Sequence, residues 1–322
     1  MTPIRLLVLS NPAAEHLRLL DGLEQPVEVT VSDDPKTLAA HVPDADVILV
    51  GTSEGPLLPS IFPRARKVRW IHSLSAGVEK ALFPELAASA VPMTNGKGIF
   101  SPSLAEFAIA AILFFAKDFR ALVRNQEAGK WVQFDIEMIR GRVLGIVGFG
   151  DIGRESARLA HALGMEVVAA RRRAALSVDD PDLKAVYPPD RLREMLAICD
   201  YVLVTLPLTG ETRGMIGEAE LAAMKSTAVI LNVGRGPVIS EAPLIAALSS
   251  KRIRGAALDV FDQEPLAEGH PFYRLDNVLL SPHSADHTAG WADLGMKAFL
   301  DNFTRFRNGE PLRNLVDKKA GY

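Results

Sequence analysis

Short apolar runs alternate along the chain with longer segments in which apolar residues recur every three or four positions. Ile4–Leu9, Val27–Val31, Asp46–Val50 and Val68–Ile71 read as strands, and segments such as Pro35–His41 between them read as helices. Parallel strands need a crossover and helices supply it, so this alternation predicts a parallel sheet covered by helices. Ser101-Pro102-Ser103 then opens a segment that is apolar on most of its circumference. The pattern predicts one long helix there, Leu104 to about Asn125, with Ser103 as N-cap and Glu106 completing a capping box. A helix so apolar has to be buried, between two domains or between two subunits.

A second series begins at Arg142. Strands are predicted over Val143–Val147, Glu166–Ala170, Tyr201–Thr205, Val229–Asn232, Ala256–Val260 and Val278–Leu280. Helices are predicted over Asp151–Leu163, Pro189–Ile198, Gly217–Ala223, Ala242–Leu248 and finally Thr288–Arg307. The whole reads as an α/β protein made of two doubly wound parallel-sheet domains, Rossmann-like or flavodoxin-like, with a cleft between them. The last helix is expected to return to the first domain. That makes the first domain discontinuous, residues 1–102 plus 286–322, around a second domain of about six strands at 103–285. A length of 322 residues suits two cores.

Composition changes this picture only by exclusion. Apolar residues make up 48% and charged residues 23% of the chain, with a net charge of −3, as in ordinary globular proteins. No basic stripe points to nucleic acid, and no cysteine–histidine spacing points to a metal. The single cysteine, Cys199, excludes a disulfide framework and favours the cytoplasm. Phe107–Ala116 is too short to span a membrane and is closed by Lys117 and Asp118. Ile4–Leu9 runs into the turn Ser10-Asn11-Pro12, which suits a first strand better than a leader.

The first chemical signal is Gly148-Phe149-Gly150-Asp151-Ile152-Gly153, which follows a predicted strand and opens a predicted helix. In that context a G-x-G-x-x-G sequence reads as a dinucleotide turn. The first glycine makes the tight turn, the second lets backbone approach a pyrophosphate, and the third lets helix pack on strand. The helix amides and dipole favour the phosphate charge. Where the next strand ends, an NAD site usually carries an acid for the ribose 2′-hydroxyl. This chain has Arg171-Arg172-Arg173, and after Glu166 no acid until Asp179. Arginine suits a 2′-phosphate, so NADP(H) is the expected cofactor and NAD(H) the alternative.

Ligands of open α/β sheets sit outside the carboxyl ends of the strands. Past three successive predicted strands lie Arg235, then Asp259 with Glu264, then His283. Reduction of a 2-keto acid needs a hydride, a proton for the new alkoxide and a grip on the carboxylate. Arginine supplies the grip as a bidentate fork. Histidine gives and takes a proton near neutral pH, and a neighbouring carboxylate raises its pKa and fixes its tautomer.

With these residues in view, the chain resembles the D-isomer-specific 2-hydroxyacid dehydrogenases, which include glyoxylate/hydroxypyruvate reductases. The likeness is carried by Asn232-Val233-Gly234-Arg235-Gly236-Pro237-Val238, Gly255 through Phe261, Glu264-Pro265-Leu266 and Ser281-Pro282-His283. Leu206-Pro207-Leu208-Thr209 with Thr212, and Arg140-Gly141-Arg142, also fit. The resemblance implies that Arg235 binds the substrate carboxylate and polarises the keto oxygen, and that His283, paired to Glu264, is the acid/base. It implies cofactor contacts at Gly148, Phe149, Gly150, Asp151, Ile152, Gly153, Leu206, Pro207, Thr212, Val233 and Gly234, with Asp259 holding the nicotinamide carboxamide. In the first domain, Ser75, Ala76 and Gly77 resemble a loop whose amides clasp the substrate carboxylate, and cleft closure would exclude water. A homodimer through the cofactor domain is implied, consistent with the apolar helix and the following arm with Trp131.

Two features depart from the family pattern. Arginines replace the frequent aspartate after the second strand of the cofactor domain. Ser284-Ala285-Asp286 follows the histidine where a small apolar or glycine step is commoner, and Asp286 is expected to cap the next helix. A formate-dehydrogenase-like enzyme is one alternative, disfavoured because hydride abstraction from formate needs no proton donor. A dinucleotide-sensing, corepressor-like scaffold is another.

Overall fold

A computed structural model describes residues 2–24, 26–51, 54–173 and 180–322. In chain order its strands and α-helices are β1 (Ile4–Leu9), β2 (Val27–Ser32), α1 (Pro35–His41), β3 (Val47–Val50), α2 (Leu58–Ile61), β4 (Trp70–Ser73), α3 (Pro84–Ala88) and β5 (Met93–Asn95). There follow α4 (Ser101–Ala116), α5 (Phe119–Glu127), β6 (Val143–Val147), α6 (Asp151–Ala162), β7 (Glu166–Ala170), β8 (Ala185–Tyr187), α7 (Leu192–Ile198) and β9 (Tyr201–Val204). The last are α8 (Glu218–Ala223), β10 (Val229–Asn232), α9 (Glu241–Ser249), β11 (Gly255–Leu258), β12 (Val278–Leu280) and α10 (Trp291–Asn308). Two compact units result, one of residues 1–100 with 288–322 and the other of residues 101–287.

The first unit carries a five-stranded sheet in the order β2-β1-β3-β4-β5, with every pairing parallel. Leu7, Leu9, Ile48 and Val50 pack on one side with Leu38 and Leu58, while Leu6, Val8, Val47 and Leu49 pack on the other with Phe299 and Phe303. Both faces are covered, which is why residues 6–9 of β1 and all four of β3 are apolar and buried instead of alternating. Within this core Trp70 stacks on Phe299 with centroids 5.5 Å apart. The Trp70 Nε1–H donates to the Thr94 hydroxyl at 2.8 Å, and His72 Nδ1 lies 2.7 Å from the same oxygen. His72 is fully buried, and burial pushes its pKa down to about 3.

The second unit carries seven parallel strands in the order β12-β11-β10-β9-β6-β7-β8. From β6 the chain winds outward through β7 and β8, then returns to the other side of β6 through β9. The switch point of the topology therefore lies at the carboxyl end of β6, where doubly wound sheets bind ligands. The seventh strand is β8, absent from the expected six. It has three half-buried residues, and the three-residue β5 at the edge of the other sheet is equally short.

The single helix expected over Leu104–Asn125 is two. Asp118 adopts φ +46° and its side chain accepts from the Ala121 amide at 3.2 Å, ending α4 and capping α5. The expected cap at Ser103 is also displaced. The helix starts at Ser101, with Pro102 in the first turn as its missing N–H allows. Ser103 is therefore inside, and its hydroxyl donates to the Ala285 carbonyl at 2.6 Å. The apolar faces of α4 are buried within the second unit, against α6 and β10.

Candidate active site

At the end of β6 the chain turns through Gly148 at φ +100°, a conformation in which a side chain is strained. A Cβ there would also come within 2.9 Å of Leu206 Cδ2, and one at Gly153 within 2.6 Å of the Gly148 carbonyl oxygen. A Cβ at Gly150 would meet nothing within 4 Å. Gly148 and Gly153 thus serve the turn and the packing, whereas Gly150 opens outward. Gly150 precedes the twelve-residue α6, and no side chain caps that helix. An open glycine before a helix whose cap position has no side chain is what a pyrophosphate requires, so these residues fit a dinucleotide. Phe149 is buried beneath the Arg154 guanidinium, 5.1 Å from the ring centre.

The flanking strand ends close on this turn. After β9, Leu206 packs over Gly148, and a Cβ at Gly234 would lie 2.7 Å from the Leu206 carbonyl oxygen. The buried Thr212 hydroxyl donates to the Pro207 carbonyl at 2.7 Å and accepts from the Thr209 amide at 2.8 Å, knotting that loop. After β7 the Arg171 amide bonds to the Tyr187 carbonyl at 3.1 Å, and Arg172 Nη1 pairs with Glu211 Oε2 at 2.9 Å. Asp179 lies outside the described residues.

Three further strand ends bring together the residues singled out for chemistry. After β10, the buried Asn232 amide ties the turn. Its oxygen accepts from the Gly234 amide at 3.0 Å and its nitrogen donates to the Arg235 carbonyl at 3.1 Å. Val233 is buried, and Arg235 Nη1 donates to the Gly234 carbonyl at 2.7 Å. After β11, Asp259 is 1% exposed. Its Oδ1 accepts from the Ser281 hydroxyl at 2.5 Å and from the amides of Ser284 and Ala285 at 2.9 and 3.0 Å. Its carbonyl accepts from the His283 amide at 2.8 Å. These bonds hold His283 at φ +53°, a conformation uncommon for a residue other than glycine.

The turn aims the His283 ring at Glu264. Nδ1 donates to Glu264 Oε2 at 2.7 Å, while Oε1 of the same carboxylate accepts from the Phe261 amide at 3.0 Å. The carboxylate is thus fixed from both sides and leaves Nε2 of the imidazole for other work. Its hydrogen bond and negative charge raise the His283 pKa above the ordinary value. Burial and the positive charge of Arg235 oppose that rise without cancelling it.

Asn232 and Ser281 stand in stretches that carry the family likeness but have no role of their own in the sequence reading, and Glu211 is not singled out there. An asparagine closing an apolar strand was the available signal for the first. The other two become visible only through the partners they meet in space. Asp286 does not cap the last helix. Gly290, at φ +75°, precedes α10 without a side-chain cap, and Asp286 instead lies 3.7 Å from His287 Nε2. In the first unit, Ser75, Ala76 and Gly77 follow the carboxyl end of β4. Asn95 Nδ2 donates to the Ala76 carbonyl at 2.5 Å and the Gly96 amide to the Ser75 carbonyl at 3.1 Å.

A glycine turn at the switch point of a doubly wound sheet, with a carboxylate-paired histidine on the same sheet edge, defines a nicotinamide-dinucleotide oxidoreductase. The family model described as the D-isomer specific 2-hydroxyacid dehydrogenase, NAD binding domain, matches residues 109–285, and the chain belongs to that family. It is 33% identical over 294 residues to a glyoxylate reductase of Korarchaeum cryptofilum, covering 88% of this chain and 86% of the relative. It is 32% identical over 313 residues to a glyoxylate/hydroxypyruvate reductase B of Salmonella typhi, covering 94% and 95%. Among solved structures, an NADPH-dependent glyoxylate/hydroxypyruvate reductase of Sinorhizobium meliloti in complex with NADP and sulfate superposes with a TM-score of 0.85 at 26% identity, covering all of both chains. No helix among the described residues is long and apolar enough to cross a membrane.

Proposed function

We infer that this protein is an NADPH-preferring reductase of small 2-keto acids, of the glyoxylate/hydroxypyruvate type, yielding the D-2-hydroxy acid. The observation that carries the reading is the His283–Glu264 hydrogen bond beside the charge of Arg235. When bound, the dinucleotide supplies the hydride. Arg235 holds the substrate carboxylate and polarises the keto oxygen, and His283 gives that oxygen a proton from Nε2. Glu264 keeps the imidazole in the tautomer and charge state that can do so. Asp259 organises the loop that carries His283 and faces the nicotinamide end of the cofactor. The loop with Ser75 binds the substrate carboxylate through the backbone amides of Ala76 and Gly77.

Gly148–Gly153 would hold the dinucleotide, with Leu206, Pro207, Thr212, Val233 and Gly234 along it and Arg171 and Arg172 at a 2′-phosphate. The work is cytoplasmic and done by a homodimer. The second copy covers the apolar surface that α5 and the arm after it leave exposed, including Leu122, Val123, Trp131 and Met138.

The test is kcat/KM for glyoxylate, hydroxypyruvate and phenylpyruvate, each with NADPH and NADH. Turnover of the two smaller acids with NADPH favoured is expected. A clear NADH preference would overturn the cofactor reading. No turnover with any keto acid would favour a dinucleotide-sensing scaffold.

A further inference from the structure

Strand order places β7 and β9 on opposite sides of β6. The loops leaving their carboxyl ends therefore rise on either side of the Gly148–Gly153 turn. Arg172 stands two residues past β7 and Glu211 in the loop past β9, yet their side chains meet at 2.9 Å. An ion pair joining those two loops bridges the mouth of the turn between them.

Both ends are anchored. Glu211 sits within the Thr209–Thr212 knot, where the Arg213 amide also bonds to the Thr209 carbonyl at 3.1 Å. On the other side, backbone pairing with the neighbouring strand continues through Arg171, one residue short of Arg172. The charged tips themselves are open to water, with side-chain exposures of 52% for Arg172 and 74% for Glu211. An exposed pair of this kind is weak and exchanges partners readily. A 2′-phosphate offers the same guanidinium more charge and three acceptor oxygens.

We propose that Glu211 tempers the dinucleotide preference that the arginines confer. Its carboxylate occupies Arg172 as an internal stand-in for the 2′-phosphate, so the phosphorylated cofactor binds by taking Arg172 from Glu211. The 2′-phosphate then lies beside a carboxylate that has lost its partner, which also works against it. Glu211 thereby narrows the margin by which the arginines favour NADP(H) over NAD(H). This rests on reading Arg171 and Arg172 as ligands of the 2′-phosphate.

Dissociation constants of NADPH, NADH and 2′,5′-ADP, measured by calorimetry on the full chain, test both layers. The proteins are wild type, Glu211→Gln, Arg172→Ala and the double variant. Glu211→Gln should raise the NADH-to-NADPH ratio of dissociation constants about two- to fivefold, the range of an exposed ion pair, and tighten 2′,5′-ADP alike. In the Arg172→Ala background the same change should have less effect. An unchanged or lowered ratio in Glu211→Gln overturns the role of Glu211. Arg172→Ala then separates the causes. If it weakens NADPH and 2′,5′-ADP, the arginine reading stands and only the role of Glu211 falls. If it leaves them unaltered, the arginine reading fails and the proposal with it.

Discussion

Two histidines, one in each unit, show how differently the same side chain is used. His72 lies in the core of the five-stranded unit against a hydroxyl, and its pKa falls to about 3. His283 lies at the edge of the seven-stranded sheet against a carboxylate, and its pKa rises. A threonine oxygen cannot offset the cost of a charge buried among Trp70 and Phe299, so His72 stays neutral. A carboxylate within 2.7 Å can offset it, the more so at a half-exposed site. A histidine becomes an acid/base through its partner and its access to water, and burial alone makes it an inert ring.

The comparison breaks most severely if His283 is dispensable. His283→Ala should lower kcat for keto-acid reduction by about 10²–10⁴-fold, the usual share of a general acid, while dinucleotide affinity persists. Near-normal turnover in steady-state assays would refute the assignment.

Glu264→Gln should cost less and is more informative. Reduction needs the protonated imidazole, and its rate falls as pH rises through the His283 pKa. Removing the carboxylate charge lowers that pKa, so the fall in kcat/KM should move to lower pH. A profile superposable on wild type would show that Glu264 only orients the ring.

The smallest effect belongs to the silent partner. Thr94→Val should lower unfolding stability by about 1–3 kcal/mol, because Trp70 Nε1 and His72 lose their common partner. Urea titration checks this, and kcat should be unaltered.

Proton linkage gives the two histidines opposite signs. His72 is neutral when folded and takes up a proton when unfolded, so stability is lost as pH falls from about 6.5 toward about 3. His283 binds its proton more tightly when folded. Its contribution is complete below the unfolded value near 6.5 and disappears as pH rises through the raised one.

Much of this was legible in the chain because it is local. A run such as Ile4–Leu9 is apolar at every position but Arg5 because both faces of its strand are covered beyond that residue, and the observed strand has those bounds. The glycine turn is readable because the chain reversal, the open approach and the close packing each demand a missing side chain. What escaped depends on distant partners. Met93–Asn95 is a strand because β4 lies beside it, and two of its three residues are polar. Asp118 breaks a helix that apolar periodicity alone would continue. Asp286 looked like a cap because acids often precede helices, but the turn between it and α10 ends at Gly290 instead. Glu211 gave no signal, since its importance lies in meeting Arg172, 39 residues earlier, across a strand that belongs to neither loop.

Cys199 sits beneath β6, its thiol donating to the Met195 carbonyl at 3.0 Å, and a Cβ on Gly145 would come within 2.4 Å of its sulfur. Burial pushes its pKa up to about 12. The folded protein should therefore resist maleimides and disulfide reagents although its chain contains a thiol, which a thiol titration of the native protein checks. One cysteine introduced at any exposed position becomes a unique labelling handle without the native residue being removed.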